Sequence, residues 1–152
     1  MCSDPFFSPT CSAGRAAVVL DTNIVLDVFV FDDAAAHPLK QALTAGRLDW
    51  LATAPMRDEL ERVLGYPQIT PRLAPYPLGA LDVLAAFDRH TRIAEVAAPA
   101  GPVCEDPDDQ KFIDLAVAHQ ATLLSKDRAV LSMKKRLQAH DVRVQSAIDF
   151  VA

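Results

Sequence analysis

Four acidic side chains stand out by their neighbours. Asp21 closes the apolar run AAVVL at 16–20, and Asp127 comes two residues after the run TLLS at 122–125. Asp109 opens a pattern in which Phe112, Ile113 and Ala116 recur at helical spacing. Glu59 is three residues after Met56 and four before Val63, on or beside the apolar stripe of its helix. A carboxylate drawn away from water must be paired, protonated or bound to metal, and basic partners look scarce along these stretches. At an effective dielectric near 20, two carboxylates about 4 Å apart repel by roughly 4 kcal/mol, so several together are tolerated mainly around a divalent cation. An all-oxygen donor set favours Mg²⁺ or Mn²⁺. His37, His90, His119 and His140 match no zinc spacing and fall at surface or helix-end positions. Each acid also has a structural use. Asp21 caps the helix after it, and Asp127 caps one beginning near Arg128. Asp106, Asp108 and Asp109 compete for one N-cap; Asp109 is preferred for chemistry because it continues the apolar stripe, with Asp108 as the alternative ligand. Asp114 and Glu61 fall off the inward stripes and read as surface charges.

The elements needed to position these acids follow from periodicity. Short apolar strands at 16–20, 49–53, 92–97, 122–125 and 142–144 alternate with helical stretches, which predicts an α/β fold with a largely parallel sheet. Helical material over 22–45 breaks near Asp32 and Asp33 and stops at Gly46; another helix carries Glu59 and ends at Gly65. Further helices are expected around 81–88, at 109–119 and over most of 128–137. Pro67, Pro71, Pro75 and Pro77 make 66–78 a surface loop. In parallel sheets ligands bind beyond the carboxyl ends of the strands, where Asp21 and Asp127 both fall.

With 152 residues, 51% of them hydrophobic, the chain is one domain with a single core. Residues 1–15 read as a flexible N-terminal arm, and 16–152 as the folded unit. No apolar run approaches the length of a membrane span, and Cys2, Cys11 and Cys104 form no disulfide or thiolate-zinc pattern, so a cytoplasmic location is expected. The net charge of −5 excludes a protein that holds nucleic acid by bulk electrostatics alone. Residues 121–152, however, carry six basic against three acidic side chains, and Lys134, Lys135 and Arg136 form either a solvated helix face or part of a basic track. No G-x-G-x-x-G follows the first strand, which removes a dinucleotide-binding site.

Together, VVLDTN at 18–23, MRDELERVL at 56–64, EDPDDQKFIDLA at 105–116 and LLSKDRAVL at 123–131 resemble the PIN-domain family, over residues 16 to about 146. The closest likeness is to the bacterial branch of toxin components of toxin–antitoxin pairs. The resemblance implies a three-layer α/β/α domain and a Mg²⁺- or Mn²⁺-dependent endoribonuclease that leaves 5′-phosphates. Asp21, Asp109 and Asp127 would hold metal, with Asp21 the principal ligand. Glu59 would act through water, and Asn23 and Ser125 would give polar support. Where the family commonly has Thr-Gly-Asp this chain has Ser125, Lys126 and Asp127, so a lysine replaces the glycine beside the site. Lys126 and Arg128 are candidate RNA contacts. The implied partners are an RNA substrate, a cognate antitoxin protein and a second copy of the chain. The alternative is an inactive or regulated module of the same fold acting through a protein partner. The run LDTN also resembles the nucleophile loop of haloacid-dehalogenase-type phosphatases, but these need a second Asp where Asn23 stands.

Overall fold

Valine and leucine dominate the strand that begins the domain, and Val18, Val19 and Leu20 are at most 3% exposed, as a strand covered on both faces requires. The computed structural model describes residues 15–77 and 79–146. Five strands, β1 (Ala16–Leu20), β2 (Leu48–Ala52), β3 (Thr91–Ile93), β4 (Thr122–Leu124) and β5 (Val144–Gln145), form one sheet. Every pairing is parallel and the order is β3-β2-β1-β4-β5. The expected N-terminal arm lies outside the described residues, apart from Arg15.

Among the described residues seven α-helices connect the strands: α1 (Thr22–Phe29), α2 (His37–Thr44), α3 (Ala54–Leu64), α4 (Ala80–His90), α5 (Gln110–His119), α6 (Arg128–Leu131) and α7 (Lys134–Gln138). The chain steps from β1 outward to β3, returns through α5, and steps outward again from β4 to β5. Right-handed crossovers therefore put α1–α4 on one face and α5–α7 on the other, the expected three-layer α/β/α arrangement. Trp50 of β2, 1% exposed, anchors the first face, stacked on Phe29 and edge-on to Phe87. Ile113, Leu115 and Ala116 of α5 are fully buried on the second.

Local chemistry sets the element ends. Gly46, with φ of +72°, lets the Arg47 amide reach back to Ala42 O and close α2. β3 is shorter than its sequence pattern. Ala94 N makes a last bond to Ala52 O, and there β2 gives way to α3. β5 starts late because Val142 N is bonded to Leu137 O of α7, while β4 sets the register through Leu123 N to Arg143 O and Ser125 N to Gln145 O. The predicted helix over 128–137 is divided into α6 and α7 at Ser132 and Met133. The proline-rich stretch is no simple surface loop: it holds a 3-10 turn at Thr70–Leu73, buries Ile69 and Leu73, and sends the Tyr76 hydroxyl to Phe29 O. All four histidines lie at or next to helix ends, as expected.

Candidate metal centre

The strand order reverses at β1, whose two neighbours are reached by opposite routes. The carboxyl ends of β1 and β4 lie side by side there, with Leu20 in register with Leu124 and Asp21 N donating to Leu124 O at 3.1 Å. Such a switch point is where open α/β sheets bind ligands. Three acids converge beside it. Asp106, Asp109 and Asp127 each place a carboxylate oxygen within 4.8 Å of the others.

Backbone geometry explains how Asp106 joins. Pro107–Asp109 is a 3-10 turn capped by Asp106, whose side chain accepts from Asp108 N at 3.0 Å. Three residues per turn put positions 106 and 109 on one face. Asp108 points elsewhere in that repeat: it is exposed and stands outside the group. Of the two, Asp109 is the one inside the group. Along the sequence Asp106 stands out only as a competitor for the cap; its spacing of three from Asp109 in EDPDD is the signal that places it with the group.

Asp109 is 9% exposed, and its Oδ2 is the one buried side-chain N or O atom without a hydrogen-bond partner among the described residues. Burial pushes its carboxyl up to about 7, helped by a hydrogen bond to Asp127 in the protonated form and by the charges of Asp127, Asp106 and Asp21. A cluster of acids holding a proton near neutrality, with an unmatched oxygen, has the donor set and the charge deficit that a hard divalent cation relieves. Asp127 also caps α6, with Ala129 N donating to its Oδ1 at 2.9 Å.

Asp21 stands next to this group and outside it. Its Oδ1 accepts from Ile24 N at 3.0 Å, capping α1, and its Oδ2 accepts from the hydroxyl of Ser125, which is wholly buried. Burial raises its carboxyl to about 6 against the lowering effect of those bonds, with Asp127 raising it further. Ser125 Oγ in turn accepts from Asp127 N at 3.0 Å, so one hydroxyl links two acids. Glu59 is further out, accepting from the Thr22 hydroxyl and from Lys111 Nζ at 2.6 Å. Asn23 is exposed on the same cleft, a hollow of about 520 Å³ that also includes Asp21, Glu59, Arg62, Tyr66, Asp109 and Lys111.

Cations are less scarce than the sequence implies. Lys111 reaches Glu59, Lys126 Nζ is 2.9 Å from buried Asp27, and Arg92 grips buried Asp49 with two bonds. All three partners come from distant chain segments and leave no local pattern. Lys126, a candidate RNA contact, thus has its ammonium on α1, whereas Arg128 is exposed. Lys134 lines a different hollow with Gln138, Asp141 and Arg143, which contains none of the acids above. Asp114 is no surface charge: it is half-buried and accepts from Ala100 N and Gln110 Nε2, both at 2.9 Å, holding the loop before the 3-10 turn.

A parallel α/β/α sandwich with acids gathered at its switch point defines the class of protein. The chain belongs to the PIN-domain family, whose model matches residues 17–129. Its fold is similar to a chain in the crystal structure of VapBC2 from Rickettsia felis bound to a DNA fragment from their promoter, with TM-score 0.59 and 14% identity over 86% of this chain and 98% of that one. No curated protein matches it in sequence. Among the described residues no helix is long and apolar enough to cross a membrane.

Proposed function

We propose that this protein is a divalent-metal-dependent endoribonuclease and the toxin half of a toxin–antitoxin pair. The observation that carries the nuclease reading is the unpartnered, buried Asp109 Oδ2 within the Asp106, Asp109 and Asp127 group. The fold shared with a VapBC2 chain supports the toxin assignment. The cognate antitoxin and a second copy of this chain are the protein partners of this reading, and the cytoplasm is its compartment.

Acids alone repel a phosphodiester. Bound Mg²⁺ or Mn²⁺ supplies positive charge on the phosphate and acidifies water into a nucleophile. Asp106, Asp109 and Asp127 would hold the ion, and the proton that Asp109 keeps near neutrality must leave as they do so. Ser125 fixes the Asp21 carboxylate and the Asp127 backbone together, which keeps those two acids in one geometry. Glu59, set apart by Thr22 and Lys111, orients water or substrate. In this reading Asn23 gives polar support from the cleft wall and Arg128 contacts a flanking phosphate.

The test is cleavage of mixed-sequence single-stranded RNA by the purified protein with Mg²⁺, Mn²⁺ or EDTA, beside Asp109→Asn and Asp127→Asn. Metal-dependent cleavage lost in both variants is expected. Equal activity of wild type and variants would overturn the reading. A Mn²⁺-dependent rise in melting temperature without cleavage would instead favour the binding-module alternative.

A further inference from the structure

Two cations line the cleft, and they differ in how they are held. Arg62 is exposed, whereas Lys111 is part-buried and its ammonium is held on several sides. Its Nζ donates to Glu59 Oε1 and to the Asp108 carbonyl, each at 2.6 Å, and lies 4.9 Å from the centre of the Phe112 ring. An ammonium carries three N–H donors, and two are engaged here. We propose that Lys111 is a catalytic residue whose third N–H donates to a non-bridging oxygen of the scissile phosphodiester; this rests on the nuclease reading above.

Three features carry the assignment. Lys111 is two residues after Asp109 and in the first turn of α5, so the cation and the metal-holding acid are set by one rigid piece of backbone. Its freedom is already lost on folding, so donating to a phosphate demands no ordering at the moment of reaction. Its surroundings supply the demand: Asp21, Glu59, Asp108 and Asp109 line the same cleft, and an approaching phosphate meets their repulsion. A lysine kept only to neutralise Glu59 would need no second acceptor on the 3-10 turn that carries the acids.

The experiment uses uridine 5′-monophosphate, a product-like probe that cannot be cleaved further, titrated calorimetrically into the full chain with Mn²⁺ present. The Mn²⁺-induced shift in melting temperature is measured in parallel. Lys111→Met should keep the Mn²⁺ shift and lose about tenfold or more in affinity for the mononucleotide, as expected for one charge-assisted bond. The double variant Lys111→Met with Glu59→Gln, which removes the carboxylate that the loss of Lys111 would strand, should remain equally weak. Recovery of affinity in the double variant would reduce Lys111 to a counter-ion for Glu59 and overturn the proposal. So would unchanged affinity in Lys111→Met, absence of mononucleotide binding by wild type, or loss of the Mn²⁺ shift in Lys111→Met. A wild type with no Mn²⁺ shift would overturn the nuclease reading itself, which separates the two failures.

Discussion

The two ends of the sheet bury carboxylates in opposite ways. At the amino end, Asp49 of β2 is 4% exposed and both its oxygens are taken by the Arg92 guanidinium at 3.0 and 2.7 Å. At the carboxyl end, Asp109 is 9% exposed, has an oxygen with no partner among the described residues, and faces two more acids. Burial is similar and charge matching is not. A closed ion pair holds strands together and has nothing left to offer a ligand; an acid cluster with no cation of its own is held in place by the fold and completed by something from outside. Asp27 falls between them, 6% exposed but paired with a lysine whose side chain is half in water.

The largest effect should separate the two ends outright. Asp109→Asn and Asp127→Asn should each cut RNA cleavage by at least about a hundredfold and abolish Mn²⁺-induced stabilisation, while Arg92→Leu leaves cleavage per folded molecule unchanged. A folded Asp109→Asn protein that still cleaves would erase the distinction. Next comes stability. Arg92→Leu strands a buried carboxylate and should cost about 3 kcal/mol in urea unfolding; adding Asp49→Leu should recover most of it, because removing both charges removes the unmatched one.

Acidity gives a third test, read on metal-free protein. The Asp109 carboxyl titrates near 7 when folded and near its ordinary 3.8 when unfolded, so the native state binds more protons between those values. Its contribution to stability is present in acid and is lost as pH rises through about 7. Melting temperatures from pH 4 to 8 should therefore fall more steeply for wild type than for Asp109→Asn; parallel curves would contradict the raised value. Mn²⁺ affinity should rise with pH over the same range, since binding displaces that proton.

Smaller effects test the intermediate case. Lys126→Met leaves Asp27 without its partner and should lower stability by about 1 kcal/mol, muted by solvent around the lysine, and Asp27→Asn should behave alike. If Lys126 instead contacts RNA directly, its variant alone would weaken RNA binding. Replacing Lys134 and Lys135 with alanine should stay within about 0.5 kcal/mol of wild type in stability and leave cleavage unchanged, as Lys134 borders a separate hollow and Lys135 is exposed.

Much of this molecule was legible along the chain. The alternation of apolar runs and helical spacing dictated a parallel α/β sheet, AAVVL and TLLS dictated its central strands, and Asp21 and Asp127 at their ends marked the edge where the acids gather. Those are local properties, because a strand covered on both faces must be apolar and its end is set by the first residue that cannot be. Tertiary structure decided what each acid faces. It brought Asp106 into the group through a 3-10 turn, joined Asp21 to Ser125 from 104 residues away, and gave Glu59 to Lys111 from 52 residues away. Counter-ion pairing of this kind depends on which helices and strands pack together across the sheet, so no spacing within a single segment encodes it.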